Sequence, residues 1–184
     1  MAEARAIHGA GLEFEVHDIV RPPFPVGAPD AMFCRFLLAH LRNLGEVLAA
    51  WAGAAAPGGW LAIHETESLE ADHPALRRYY ELLGEMQRHH GQALYVGAVL
   101  EECLAGSGWR VVESQCRLLE KPTADMAGLH LANLRTWRDD EYARGAFDPA
   151  GMAALEASLE RIASRREDGG VVVNGARQIV AQRL

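Results

Sequence analysis

Residues 12–17 read Leu-Glu-Phe-Glu-Val-His, a strict alternation of apolar and polar side chains that predicts a half-exposed strand over Leu12 to Val16, closed by Asp18. Pro22, Pro23, Pro25 and Pro29 then exclude regular structure, so Val20 to Pro29 is expected to be a loop. Ala31 to Cys34 is a short unalternating apolar run, and its proline-rich left boundary favours a buried strand over a helix. Leu44, Val47, Leu48, Trp51 and Ala55 then repeat along one helical face, with Asn43 and Glu46 as a capping pair at its start. Pro57-Gly58-Gly59 ends that helix and leads into a short strand, Trp60 to His64. Apolar strands alternating with a helix across tight turns predict a βαβ unit and a mostly parallel sheet.

The second half of the chain is dominated by helical spacing. Helices are expected over Pro74 to His90, where Leu76, Tyr79, Tyr80, Leu83 and Met86 stay in step, and over Val96 to Ala105, stopped by Gly106-Ser107-Gly108. A strand from Trp109 to Leu119 follows, then a helix from Thr123 to Arg138 and a polar break at Asp139-Asp140-Glu141. Asp148 before Pro149 marks another helix start, carrying Met152, Leu155, Leu159 and Ile162 and ending near Asp168-Gly169-Gly170. Val171 to Leu184 is rich in valine and isoleucine and reads as a last strand. The whole length, 1–184, is expected to be one domain, with 122–168 as a helical cap inserted ahead of that strand.

Composition narrows the class. Of the 184 residues, 49% are hydrophobic and 23% charged, which suits a chain that buries a substantial core. The longest apolar stretch, Val47 to Ala56, is too short for the 18 or so residues of a membrane span. The start Met-Ala-Glu-Ala-Arg-Ala has no apolar core of a secretory signal, so a cytoplasmic location is expected. With 18 basic and 25 acidic side chains the net charge is −7, which argues against nucleic acid as a partner, because that affinity comes from Lys and Arg neutralising phosphates. Cys34, Cys103 and Cys116 are isolated, an odd set that suits a reducing compartment. No histidine pair has the spacing of a metal site, and no Gly-x-Ser-x-Gly elbow is present. Neither a bound metal nor hydrolase chemistry is predicted.

Three ordered blocks carry a resemblance. Phe14-Glu15-Val16-His17-Asp18, Phe33-Cys34-Arg35-Phe36-Leu37-Leu38-Ala39-His40-Leu41 and Pro57-Gly58-Gly59-Trp60-Leu61-Ala62-Ile63-His64-Glu65 resemble the class I S-adenosylmethionine-dependent methyltransferases. The resemblance implies that the first block ends the family's third strand with an acid near adenine. The second would be the fourth strand and its following helix, and the third the turn into the fifth strand. It implies an α/β fold with an incomplete Rossmann-like sheet, mostly parallel, and a helical cap before the last strand. Met1 to Ala6 resembles the helix after the second strand, so the first strand, its glycine-rich loop and the second strand are expected to lie outside this chain. Without the loop and the ribose-binding acid, S-adenosylmethionine is expected to bind weakly or not at all, by roughly three orders of magnitude or more. The Ala31 to Cys34 strand would become an open apolar edge inviting self-association or a partner subunit.

The resemblance also implies site residues, each with a plainer alternative. Asp18 would accept from the adenine amino group, or act as a turn aspartate satisfying its own backbone. Ile19 would pack on adenine, or be a buried aliphatic. Cys34, Arg35 and Phe36 would line the methionine end of the cofactor, with a local ion pair the alternative for Arg35. His40, expected on the same helix as Arg35, would orient the acceptor or take its proton, or else cap or pack. Glu65 and Glu67 would contact a small-molecule substrate or belong to a solvated loop. His130, Asn133 and Trp137 share a helical face and would line a substrate pocket, unless Trp137 is core.

Overall fold

The computed structural model describes residues 11–165 and 170–184. Its elements in chain order are β1 (Ala31–Arg35), α1 (Leu44–Ala54), β2 (Trp60–Ala71), α2 (Pro74–His89), α3 (Leu100–Leu104), β3 (Trp109–Pro122), α4 (Thr123–Trp137), α5 (Glu141–Ala146), α6 (Pro149–Ala163) and β4 (Val171–Arg183). Single 3-10 turns at Leu38–His40 and Val96–Val99 follow β1 and precede α3. The architecture is α/β, with a four-stranded sheet in the order β1-β2-β4-β3.

The sheet is mixed, which corrects the expectation of a mostly parallel one. β1 runs parallel to β2, with Ala31 opposite Trp60 and Arg35 opposite His64. β4 is antiparallel to both β2 and β3, because the last strand returns between them and opposes each. The alternating segment 12–17 forms no ladder: its pattern fits a strand, but no strand among the described residues lies beside it to pair with its backbone. The helix expected over Met1 to Ala6 lies outside the described residues, as do Asp168 and Gly169.

Two cores organise the rest. In the first, alternate residues of the strands, Cys34, Leu61, Ile63, Ile179 and Ala181, meet Val47, Leu48 and Trp51 of α1 and Leu100 and Leu104 of α3. These helices cover one face of the sheet. Its other face exposes Phe33 (70%) and Trp60 (42%) beside the unpaired outer side of β1. The second core joins Leu76, Tyr79 and Tyr80 of α2 to Ala127, Leu134 and Trp137 of α4, and to Leu155, Leu159 and Ile162 of α6. Thus the helices between β3 and β4 share their interior with α2, forming a cap.

Local chemistry explains the helix boundaries. Asp148 accepts from the Ala150 and Gly151 amides and Pro149 occupies the first turn, as the sequence leads one to expect. Asn43 differs. Its backbone is left-handed (φ 51°) and its side chain donates to Glu46 instead of accepting from the helix amides. The polar break at Asp139 to Glu141 is followed by the short α5, because Asp140 accepts from the Tyr142 and Ala143 amides and starts a new turn.

β2 continues past its last contact with β1. Glu65–Ala71 extends beyond the His64–Arg35 pair and is bonded on one side, to β4, with a register shift between Thr66 and Ser68. At the usual rise per residue this overhang reaches roughly 20 Å and carries the cap above the carboxyl end of β1.

Candidate functional site

In open α/β sheets ligands gather at the carboxyl ends of parallel strands. Here that position lies at the ends of β1 and the parallel part of β2. Phe36 follows β1 with φ 51°, a left-handed backbone that costs a non-glycine residue free energy and persists when its surroundings hold it. Its amide donates to the His64 carbonyl at 3.1 Å. The Arg35 guanidinium lies 4.7 Å from the Phe36 ring centroid, and the Phe36 and His64 rings are 5.4 Å apart.

Glu65 organises the turn beside them. Its side chain is fully buried, and Oε1 accepts from the amides of Leu37 (2.7 Å) and Leu38 (2.8 Å) at the start of the 3-10 turn. Burial pushes its carboxyl above the ordinary carboxylate range, against the pull of those amides and of nearby His40. Oε2 has no hydrogen-bond partner among the described residues, and neither has the buried Nε2 of His64. Burial and then the Arg35 charge hold His64 below its usual value, so its ring is neutral at pH 7. Burial and the adjacent Glu65 push the Cys34 thiol up to about 12, which removes it as a thiolate nucleophile.

The other side of β1 borders an apolar cleft of about 290 Å³, walled by Ile19, Phe24, Met32, Cys34 and Trp51, with Glu15 at its rim. Trp51 Nε1 donates to the Ile19 carbonyl at 2.9 Å and holds the incoming chain against α1. Apolar walls with one carboxylate suit the base and ribose of a nucleoside, so these residues fit part of the donor the resemblance implies.

The structure brings some of the expected site residues together and separates others. Cys34, Arg35, Phe36 and Glu65 converge at the strand ends, and Ile19 shares the apolar cleft with Cys34. Asp18 stands apart, because its carboxylate accepts from its own turn at Val20 and pairs with Arg21 at 3.1 Å. His40 is exposed on the 3-10 turn, not on one helix with Arg35, since the strained Phe36 interrupts any such helix. Its carbonyl accepts from Gln92 Nε2 at 3.1 Å, next to the Ala93 amide bonded to Ala39. Glu65 is no solvated loop residue, and Glu67 is ion-paired with Arg177.

In the cap, His130 and Trp137 are buried and Asn133 is exposed, and the three gather around the buried Tyr79. His130 Nε2 lies 2.9 Å from the Tyr80 hydroxyl, and its ring stacks on Tyr79 at 4.5 Å. Burial holds its pKa down to about 4. His130 Nδ1 has no hydrogen-bond partner among the described residues, and burial pushes the Tyr79 hydroxyl up against the pull of the Trp137 and Asn133 side chains. Among the described residues, no group of three or more His, Cys, Asp or Glu side chains is placed to hold a metal ion, and no helix is long and apolar enough to cross a membrane.

Sequence reasoning missed Glu15 and His64. Both were legible in principle, since Glu15 lies in an alternating segment and His64 lies out of phase with the inward positions Leu61 and Ile63.

Comparisons with known proteins agree with this architecture. A methyltransferase-domain family matches residues 3–114, more than half of the chain. Methyltransferase str3 of Strobilurus tenacellus is 36% identical over 63 residues, covering 34% of this chain and 23% of that protein. A Bacillus halodurans protein described as a methyltransferase superposes with a TM-score of 0.56 at 14% identity, over 98% of this chain and 75% of its own. The [4+2]-cyclase SpnF gives the same TM-score at 19% identity, over 99% of this chain and 61% of its own. Those two likenesses speak to the fold, and a cyclase among them separates fold from reaction. The family match decides the matter: the chain belongs to the methyltransferase-domain family.

Proposed function

We propose that this chain takes part in S-adenosylmethionine-dependent methyl transfer to a small-molecule acceptor at the carboxyl ends of β1 and β2. The observation that carries the reading is the strained Phe36, held between Arg35 and His64 beside the Glu65-bonded turn, at the sheet position where ligands collect. When bound, the donor supplies an electrophilic sulfonium methyl group. In this reading Ile19 and Cys34 border its base, Glu15 faces its ribose hydroxyls, and Arg35 and Phe36 line its methionine end. His40 orients the acceptor or takes its proton. Transfer of this kind depends on positioning and exclusion of water, so a thin set of reacting groups is sufficient.

The test is calorimetric titration of S-adenosylmethionine and S-adenosylhomocysteine into this chain. The expected dissociation constants lie near about 1 mM. Ile19→Asp abolishes binding, and His40→Ala keeps it while lowering methyl transfer. Absence of binding for both nucleosides at several times that concentration overturns the reading.

One observation favours a second reading, a methyltransferase-like module that binds or assembles without transferring methyl groups. β1 is an edge strand, and the uncovered face beside it exposes Phe33 and Trp60. Assembly with a second copy or a partner subunit through that edge predicts a sedimentation coefficient that rises with concentration and falls back in Phe33→Lys. Concentration-independent monomer counts against it.

A further inference from the structure

An open cleft of about 970 Å³ lies between the overhang of β2 at Leu69–Ala71, one face of α2 and the segment 93–99. Its near wall is the same segment that bonds the His40 turn through Ala93 and Gln92, so the cleft adjoins the strand-end site. Tyr95 presents an exposed aromatic wall, and the edge of the buried Tyr80 reaches the cleft beside it. The buried His130 fixes Tyr80 by its hydroxyl. Gly84 leaves the α2 surface bare, and the Arg88 guanidinium lies across it, 3.6 Å from where a Cβ would stand.

The charges in the cleft differ in how far they are occupied. Arg77 donates to the Ala71 and Asp72 carbonyls, and Arg78 is paired with Glu81. Glu85 accepts from Tyr142. The Arg88 guanidinium lies over Gly84 with its charge near the Tyr142 hydroxyl that donates to Glu85, and it forms no hydrogen bond or ion pair with a side chain among the described residues. Exposed Glu70 on the opposite rim opposes a second negative charge on any occupant.

We infer that this cleft is the acceptor site and that it takes an aromatic monocarboxylate, its ring against Tyr80 and Tyr95 and its carboxylate on Arg88. The inference rests on the methyl-transfer reading for the word acceptor, and its binding chemistry stands apart from the donor. It is tested on the full chain without any nucleoside, by saturation-transfer NMR with 4-hydroxybenzoate, 4-hydroxybenzamide and phenyl phosphate. The carboxylate is expected to bind roughly tenfold more tightly than the amide and than the phosphate dianion. Arg88→Gln removes that preference with an unchanged circular dichroism spectrum, and Arg110→Gln on the far edge of the sheet preserves it. Equal binding of acid and amide, tighter binding of the phosphate, an unaltered preference in Arg88→Gln, or no binding of any probe at millimolar concentration overturns the inference. A failed donor titration with intact carboxylate binding overturns the methyl-transfer reading alone.

Discussion

Glu65 and His130 are both buried, ionisable and remote from water, yet the two cores treat them differently. In the sheet core Glu65 is bonded to two backbone amides and joins β2 to the turn after β1. In the cap His130 holds a single hydroxyl, and its other ring nitrogen, Nδ1, has no partner among the described residues. A buried polar group bonded to backbone fixes the course of the chain, whereas one bonded to another side chain fixes a rotamer. The strand-end half therefore gains a fixed backbone from its buried acid, and the cap a fixed side-chain contact from its buried histidine.

The strongest way to break that contrast is to remove the Glu65 acceptor. Glu65→Ala leaves the Leu37 and Leu38 amides buried and unpaired, and should cost about 4 kcal/mol in urea unfolding. Glu65→Gln keeps an acceptor and sheds the burial of a charge, so its loss should stay below about 1 kcal/mol. Equal losses in the two variants would mean that the turn does not depend on those bonds.

His130 sharpens the contrast through pH. Its pKa is held at about 4 in the folded chain, against 6.5 as its ordinary value, so the unfolded chain binds the proton more readily. Stability is full above the ordinary value and falls as pH drops through it toward 4, by at most about 3 kcal/mol. His130→Gln should flatten this acid limb, as measured by thermal unfolding between those pH values. A limb of unchanged steepness would assign it to other groups.

Gly97 separates the two halves. A Cβ there would lie 2.9 Å from both the Arg177 Cβ and the Thr66 carbonyl oxygen, so Gly97→Ala pushes the shared wall off β2. A loss of about 1–2 kcal/mol is expected, with altered NMR shifts at both Tyr95 and His40. Shifts confined to one side would argue against a common wall. The smallest effect belongs to Trp51→Phe, which frees the Ile19 carbonyl and should cost about 1 kcal/mol. Faster amide exchange over 12–20 would accompany it, and unchanged exchange would show that Trp51 does not restrain this chain segment.

What was legible in the sequence follows the same division. α1 and α6 were readable because their apolar spacing and breakers are local. The overhang of β2 was not, since Glu65–Ala71 carries polar residues on a strand bonded to β4 and not to β1, and that partner lies a hundred residues on. The alternation over 12–17 misled for the converse reason, a strand pattern with no strand beside it among the described residues. Glu65 was misjudged because a carboxylate ordinarily belongs in solvent, although its phase with Leu61 and Ile63 placed it inward. Arg88 follows Tyr80 by two turns on one face of α2, a spacing the sequence carries, but Tyr95 joins them at the cleft from beyond the helix, where no periodicity reaches.

The prolonged end of β2 gives the cap a cantilever, with the irregularity between Thr66 and Ser68 near its root. A bulge at that point sharpens local twist, so this short stretch contributes to the direction in which β2 delivers α2. Changing the length of this root by a residue would swap the faces of Leu69 and Ala71, which pack on the second core, so the cap's placement and its interior are set together.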